Sequence, residues 1–498
     1  MLDKKIVSSS LFYTIGKYLI LLIGFIRTTF VAIILSKNDM GELIIIYLII
    51  EYSSYLFTLG LPNSINLQTS IDKNSYRNLN YDNNIIQKYY SIFFFILLFT
   101  CLIFYISIFI SSNFYNDYIK ETILNNYNKI FLVILFYAIK SFCNMHNRLW
   151  EKGITLIISD IIFALVYFLG IFFLLENNLD NPINIILQII IFSQICSIIC
   201  SNIRLSFSHI ITFKKKFLIK LLPLGILLML QNMMELYFWG IDRLFISFYL
   251  TPEDLASFHI AHTYGRGLMI FFAAITFLIY PRLLTILSSE KTSNEEIRRI
   301  ISKAFEISET ILITAFSLYI IFVPYLMNYL LKKYDNFFYL FSLILFGLII
   351  KSLTFFPVTL LISRKKQKLL ILNSFIFLLI LIFLYHLLYN LKIIVQAEEF
   401  TSIAIIIFLF FSIFIYSWSM NILKQKNIYI LIFKKFWRIT VLFLIFSACF
   451  NLDIDQVNTL ALLLCSVVFI YWKLFLNNFK IIFLSILNLF FKKNKNQL

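Results

Sequence analysis

Apolar segments of roughly 20 residues or more recur along the whole chain of 498 residues, separated by short polar loops. A transmembrane helix needs about 20 consecutive apolar residues, whereas a strand of a membrane barrel alternates apolar and polar residues over about ten. The continuous apolarity of the segments therefore predicts an all-α polytopic membrane protein with about fourteen transmembrane helices. The predicted spans cover residues 11–35, 41–67, 85–110, 127–145, 153–175, 183–206, 217–250, 254–287, 304–331, 337–362, 369–391, 398–420, 428–450 and 457–477.

The composition excludes the soluble classes of protein. Hydrophobic residues make up 60% of the chain and charged residues only 14%, against about 45–50% and about 25% in soluble domains. Soluble enzymes, disordered scaffolds and secreted disulfide modules are therefore ruled out. The six cysteines form no CxxC pair and have no histidine at ligand spacing, so neither a metal site nor a cofactor is predicted.

The net charge of +17 comes mostly from lysine and arginine residues in alternate loops. By the positive-inside rule, these basic loops lie on the cytoplasmic side of the membrane. Both termini are then cytoplasmic, which requires an even number of spans. The pattern predicts a multi-pass protein of the cytoplasmic (inner) membrane. Because topology accounts for the positive charge, no nucleic-acid partner is predicted.

Two segments of the chain correspond to each other. Gly24 and Arg27, in the sequence GFIR, match Gly240 and Arg243, in the sequence GIDR, and a polar turn follows each pair at the same distance. Six predicted helices separate the two copies, so both have the same orientation in the membrane. Parallel duplicated halves are typical of transporters whose substrate site lies at the interface of the halves.

The repeat also predicts the organisation of the chain. Two parallel six-helix lobes are expected at residues 1–206 and 217–421, joined by a cytoplasmic linker at residues 207–216. Residues 422–498 add helices 13 and 14, which fall outside the repeat, and a basic cytoplasmic tail.

The repeated segments also carry a family resemblance. They read LIGFIRTTFVAIILSKNDMGELIIIY with LFTLGLPNSI, and DRLFISFYLTPEDLASFHIA with IYPRL. On these segments the chain resembles the multidrug/oligosaccharidyl-lipid/polysaccharide (MOP) exporter superfamily, and most of all its polysaccharide transporter branch of Wzx-type O-antigen and capsule flippases. The resemblance implies a V-shaped pair of lobes around a central cavity. It also implies alternating access that moves a polyprenyl-pyrophosphate-linked oligosaccharide outward, with membrane lipids and other polysaccharide assembly proteins as partners.

Charged residues lie within several predicted spans, where each costs roughly 2.5–3.5 kcal/mol on insertion scales. At 1.5 Å per residue from the outer helix ends, Arg27 lies about 12 Å deep, Glu51 about 15 Å and Arg243 about 11 Å. This common layer predicts a wet cavity, and arginine suits phosphate oxygens because its fixed charge carries paired donors. The predicted substrate-binding residues are Arg27, Arg243, Arg266, Lys351 and His262, and the predicted ion-coupling candidates are Glu51, Glu235 and Asp242.

The same charges allow a structural interpretation. Arg27 with Glu51, and Asp242 with Arg266, could form interhelical ion pairs that hold the lobes together. Both interpretations stay open at the level of the sequence.

The sequence also leaves alternatives for the energy source that drives transport. The intramembrane carboxylates could take up H⁺ or Na⁺, and an inside-negative potential by itself favours outward movement of a negatively charged cargo. Asp160 is expected to cap a helix or to pair locally, and Lys17 suits either a cavity position or a structural one.

The sequence thus predicts a transporter, a flippase for a lipid-linked oligosaccharide used in surface polysaccharide assembly. A multidrug or cation antiporter and a lipid II flippase are alternatives within the same class. A membrane polysaccharide polymerase or ligase is the alternative from another class. The short loops and the absence of a Walker A sequence argue against an enzyme, and no catalytic residue is predicted.

Overall fold

The computed structural model describes residues 4–62, 64, 97, 117–149, 153–174, 181–201, 215–288, 293–334, 337–364, 366–423, 428–451, 456 and 458–471. We label fourteen helices in these ranges, and no strand occurs within them. In chain order they are α1 (Lys4–Ile34), α2 (Lys37–Thr58), α3 (Asp117–Leu149), α4 (Gly153–Leu174), α5 (Pro182–Cys200), α6 (Lys215–Tyr249), α7 (Pro252–Ser288), α8 (Asn294–Leu330), α9 (Phe337–Leu353), α10 (Phe355–Ser363), α11 (Gln367–Asn390), α12 (Ala397–Ile422), α13 (Ile428–Asn451) and α14 (Asn458–Tyr471).

The predicted all-α polytopic class is confirmed. Within the described ranges, nine helices are long and apolar enough to cross a membrane, or ten if the two arms of α6 count as one span. Those arms, Leu221–Met234 and Leu236–Tyr249, meet at a bend of 50°. Two shorter apolar helices, Phe436–Cys449 and Asn458–Tyr471, occupy the last two predicted spans. The predicted span 85–110 lies outside the described residues apart from Leu97.

The chain forms two compact units, Met1–His259 and Ile260–Leu498. In the first unit, small residues let neighbouring helices approach closely, as is common in membrane bundles. A Cβ atom on Gly16 of α1 would lie 2.2 Å from the side chain of Ile157 on α4. The Ile157 side chain of α4 therefore packs directly against the α1 backbone, in the space that a side chain at residue 16 would fill.

The two polar turns of the sequence repeat adopt the same local structure. Ser36 precedes α2, and its hydroxyl accepts from the Asp39 N–H at 3.1 Å and donates to Asp39 Oδ2 at 2.7 Å. Thr251 precedes α7 and makes the equivalent pair of bonds with Asp254, at 3.2 and 2.7 Å. A hydroxyl cap combined with an acidic residue in the first turn stabilises a helix N-terminus. The register of the repeat is thus visible in the caps.

In the second unit, α9 is the central helix, and nearly all of its side chains are buried. The helix ends at Leu353, and α10 starts at Phe355 after a single turn residue. Pro357 explains this break, because it lacks an N–H to donate to Leu353 and its ring would clash with that carbonyl group. The two helices together are long enough for one membrane span, Phe337–Ser363, where the sequence predicts a span at residues 337–362.

Candidate functional site

The central feature of the first unit is an ion pair between α2 and α6. Arg243 Nη1 lies 3.4 Å from Glu51 Oε2. The Arg243 side chain is only 6% exposed, whereas the Glu51 side chain is 33% exposed. The Arg243 side chain is therefore buried between the helices, whereas the Glu51 carboxylate is partly accessible.

Aromatic and backbone contacts hold this pair in place. The ring of Tyr52, next to Glu51, stacks on the ring of Tyr237 with centroids 4.6 Å apart. The Tyr52 hydroxyl donates to the carbonyl oxygen of Gly240 at 3.4 Å. Gly240 also gives the guanidinium its space, because a Cβ there would lie 2.9 Å from Arg243 Nη2. The glycine of the GIDR sequence thus lets the arginine lie back along its own helix.

Arg27, from the first copy of the repeat, approaches the same part of α2. Its guanidinium carbon lies 4.1 Å from the centroid of the Tyr167 ring on α4, a favourable cation–π distance. The Tyr167 hydroxyl is hydrogen-bonded to the hydroxyl of Tyr47 on α2. Tyr47 precedes Glu51 by one helical turn, about 6 Å. Arg243 thus contacts α2 directly through Glu51, and Arg27 is linked to the preceding turn of α2 through Tyr167 and Tyr47.

Asp242 lies next to Arg243 and is buried. Its Oδ1 accepts from the backbone N–H of Arg243 at 2.9 Å. Arg27, Arg243, Glu51 and Asp242 together carry no net formal charge. We call these four residues, with Tyr47 and Tyr52, the α2 charge cluster.

The remaining predicted residues are not part of the α2 charge cluster. Arg266 is exposed on α7, and His262 on the same helix is partly exposed. Lys351 is partly buried in the last turn of α9. All three belong to the second unit. The side chain of Glu235 lies outside the part of the chain whose side chains the structure describes.

The geometry also bears on the ion pairs considered from the sequence. Glu51 pairs with Arg243 across α2 and α6, whereas Arg27 contacts an aromatic ring. The charge of Arg243 is therefore balanced by the Glu51 carboxylate. The Arg27 side chain is the more exposed of the two arginines.

Glycine residues bring α2 and its neighbours into backbone contact at both ends of the cluster. Leu59 and Gly60 are left-handed, with φ of 43° and 63°, and they end α2. A Cβ on Gly60 would lie 2.2 Å from the carbonyl oxygen of Gly225 on α6. At the other end, a Cβ on Gly41 would lie 2.0 Å from the carbonyl oxygen of Pro252.

A second charged group lies between α1, α3 and α4. Asp160 Oδ2 accepts from Lys17 Nζ at 2.7 Å, and Asp160 Oδ1 lies 3.4 Å from Lys140 Nζ. The Lys140 ammonium also sits 3.9 Å from the centroid of the Phe163 ring. The carboxylate thus holds two lysines from different helices.

Sequence reasoning missed a third charged group, in the second unit. Glu309 of α8 is 0% exposed, and its carboxylate lies 3.6 Å from Arg438 Nη1 of α13. Tyr471 of α14 donates its hydroxyl proton to Glu309 at 3.0 Å. The signal that could have found it is Glu309 itself, an acidic residue inside the predicted span 304–331. Within the described ranges, no three His, Cys, Asp or Glu residues come together as a metal site.

Comparison with known protein families assigns the chain to a family. The sequence profile of the family described as "Polysaccharide biosynthesis protein" matches residues 6–287. The chain belongs to this family. A comparison with curated proteins finds no match.

Solved structures show the fold. The structure titled "Lipid II flippase MurJ, inward closed conformation" matches with a TM-score of 0.64 at 15% identity, over 93% of this chain and 99% of that chain. An inward-facing multidrug resistance MATE family transporter of the MOP superfamily matches with a TM-score of 0.64 at 10% identity, over 82% of this chain and 96% of that chain. A MATE structure in the bent conformation matches with a TM-score of 0.52 at 10% identity, over 84% and 95%. The resemblance predicted from the sequence is confirmed at the level of family and fold: the chain belongs to the polysaccharide biosynthesis family and has the fold of these solved transporters.

Proposed function

We propose that this protein is a flippase that carries a polyprenyl-diphosphate-linked oligosaccharide outward across the cytoplasmic membrane for surface polysaccharide assembly. The observation that carries the proposal is that Arg243 pairs with Glu51 of α2, while Arg27 is linked to the preceding turn of α2 through Tyr167 and Tyr47. Guanidinium groups with paired donors are well suited to the oxygens of a diphosphate. Membership of the polysaccharide biosynthesis family supports the glycan part of the proposal.

The state of the α2 charge cluster suggests how a diphosphate enters. Arg27 is the more exposed of the two arginines, so it makes the first contact with the diphosphate headgroup. Arg243 is occupied by Glu51, so a phosphate oxygen must take the place of that carboxylate. The partly exposed position of Glu51 permits this exchange without unpacking α6 from α2.

Energy coupling follows from the same exchange. A proton on Glu51 removes the negative charge that competes with the diphosphate for Arg243. Uptake of a proton from one side and its loss to the other would then tie proton movement to cargo movement. Asp242 and Glu235 remain further candidates for H⁺ or Na⁺, and the membrane potential adds a force on negative cargo.

The proposed transport cycle is alternating access between two lobes, residues 1–206 and 217–421, with both termini in the cytoplasm. The sugars pass through the polar interior, and the prenyl chain stays in lipid. Arg266, Lys351 and His262 are proposed to bind cargo from the second lobe. No catalytic residue and no cofactor is assigned.

Reconstituted protein tests the proposal directly. Proteoliposomes receive a fluorescent polyprenyl-diphosphate-linked oligosaccharide, and the fraction that becomes accessible to a membrane-impermeant quencher is followed over time. We expect Arg27→Ala and Arg243→Ala to reduce the rate about 10- to 150-fold, because each removes charge-assisted hydrogen bonding of about 1.5–3 kcal/mol. Arg299→Ala is the matched control, because Arg299 is an exposed residue of α8. Unchanged rates in both cluster variants would refute the proposal.

A cation antiporter is the second candidate, and Glu51 favours it, because an accessible carboxylate can bind a cation. The same proteoliposomes loaded with ethidium distinguish the two. Ethidium efflux that requires Glu51, without any movement of the glycolipid, would favour the antiporter. Lipid II offered as cargo in place of the oligosaccharide lipid tests the remaining alternative.

A further inference from the structure

A cavity of about 170 Å³ opens between α2, α3 and α6 in the first unit. It lies beside the α2 charge cluster, on the side where α2 ends. Along α2, Ser54 and Thr58 follow Glu51 by three and seven residues, about 4.5 and 10.5 Å. The residues that line the cavity are Ser54, Thr58, Gly60, Pro62, Tyr137, Ser141, Met229 and Asn232.

The lining is polar but carries no charge. Ser54 donates its hydroxyl proton to the carbonyl oxygen of Glu51 at 2.8 Å, and Thr58 donates to the carbonyl oxygen of Ser54 at 3.3 Å. The Ser54 hydroxyl oxygen thus keeps lone pairs that can accept a further hydrogen bond. This side of the cavity offers an acceptor.

The opposite walls offer groups that both donate and accept. In the described part of the chain, neither the Asn232 amide nor the Ser141 hydroxyl has a protein hydrogen-bond partner. The Tyr137 side chain is 45% exposed at the edge of the cavity. It presents an apolar ring face together with a hydroxyl group.

An uncharged lining with hydrogen-bond donors, acceptors and an aromatic ring restricts which ligands the cavity can bind. An anion would need a basic side chain and a metal ion would need carboxylates, and the lining contains neither. A sugar ring carries hydroxyl groups that both donate and accept, and its C–H face packs on an aromatic ring. The cavity has room for several water molecules or for about one sugar ring.

We infer that this cavity binds the first, uncharged sugar of the diphosphate-linked cargo and reads its identity through Asn232 and Ser141. This inference rests on the proposed function, because it takes the α2 charge cluster as the diphosphate site. The distance from Glu51 to Ser54 and Thr58 matches the step from a diphosphate to the sugar attached to it. The cavity is then the specificity site of the flippase.

The test compares lipids that differ in one sugar. The protein in lipid nanodiscs is titrated with polyprenyl diphosphate, bare or carrying N-acetylglucosamine, N-acetylgalactosamine, glucose, galactose or glucuronic acid. We expect one of the four uncharged sugars to lower the Kd about tenfold relative to the bare lipid, the size of one or two hydrogen bonds. Glucuronic acid is expected to give no gain.

Two variants locate the effect. Asn232→Leu and the milder Ser141→Ala are expected to bring the Kd of the preferred lipid to within about threefold of the bare lipid, with the bare-lipid Kd unchanged. Asn421→Leu is the matched control, because Asn421 is exposed at the end of α12. It should leave all values as in the wild type.

The outcomes separate the two levels of the proposal. If the bare lipid binds but no sugar gives a gain, or the gain survives in both variants, the cavity holds only water and the inference is overturned while the flippase proposal stands. If neither bare nor sugar-bearing lipid binds the wild-type protein, the proposed function is overturned, and the inference with it.

Discussion

Two arginine–glutamate pairs between helices in the described part of the chain show reversed exposure. In the first unit Arg243 is 6% exposed and Glu51 is 33% exposed. In the second unit Glu309 is 0% exposed and Arg438 is 21% exposed. One pair thus buries the base and the other buries the acid.

The reversal separates an exchangeable pair from a fixed one. The partly exposed Glu51 carboxylate can give way to another anion, as the proposed transport cycle requires. Glu309 has no exposed surface, and it accepts a hydrogen bond from Tyr471 as well as pairing with Arg438. The second pair therefore joins α8, α13 and α14, which fastens the helices outside the repeat to the rest of their unit.

The largest effect is expected at the fixed pair. Glu309→Leu leaves the Arg438 guanidinium and the Tyr471 hydroxyl without their partner, and breaking a buried pair in this way costs about 3–5 kcal/mol. We expect a loss of folded protein and a clear fall in Tm in nanodiscs. Glu295→Ala, at an exposed position in the first turn of the same helix, should leave Tm unchanged. A Tm equal to that of the wild type in Glu309→Leu would show that the pair does not hold α13 and α14.

The sequence was sufficient to predict much of the fold, because span length follows from membrane thickness. The predicted span 153–175 corresponds to α4, Gly153–Leu174. The predicted register of the repeat reappears in the caps at Ser36 and Thr251. Broken helices were harder, because the bend of 50° in α6 depends on tertiary packing rather than on composition.

The pairing within the candidate site could not be predicted from the sequence. Counting residues predicts a common layer for Arg27, Glu51 and Arg243. Either arginine could have reached Glu51, and only the rotation of α6 against α2 makes Arg243 the partner. The sequence could not assign a partner to Glu309, because Arg438 lies on a helix outside the repeat, more than a hundred residues along the chain.

The next largest effect is expected where α2 ends beside the exchangeable pair. Gly60→Ala places a Cβ at a left-handed residue and 2.2 Å from a backbone oxygen of α6. A left-handed residue costs about 1–2 kcal/mol without glycine, and overpacking about 1–3 kcal/mol. We expect a loss of about 2–3 kcal/mol in unfolding free energy, with reduced glycolipid transport.

Gly24→Ala is the matched control for this substitution. A Cβ on Gly24 would meet no atom within 4 Å, and alanine favours the helix by up to about 1 kcal/mol. This variant should be as stable as the wild type or slightly more so. Equal behaviour of the two variants would contradict a close backbone contact between α2 and α6.

The smallest effect is expected for a substitution of Glu51, and it tests whether the Glu51 pair differs from the Glu309 pair. Glu51→Gln removes the charge that competes with a diphosphate for Arg243, and a partly exposed pair contributes only about 0.2–1 kcal/mol. We expect the Kd for polyprenyl diphosphate at pH 8 to fall about threefold. Glu51→Asp keeps the negative charge and is the matched control, so its Kd should stay close to that of the wild type. If Glu51→Gln binds the lipid as the wild type does, then the Glu51 pair is as fixed as the Glu309 pair, and proton coupling must be sought at Asp242 or Glu235 instead.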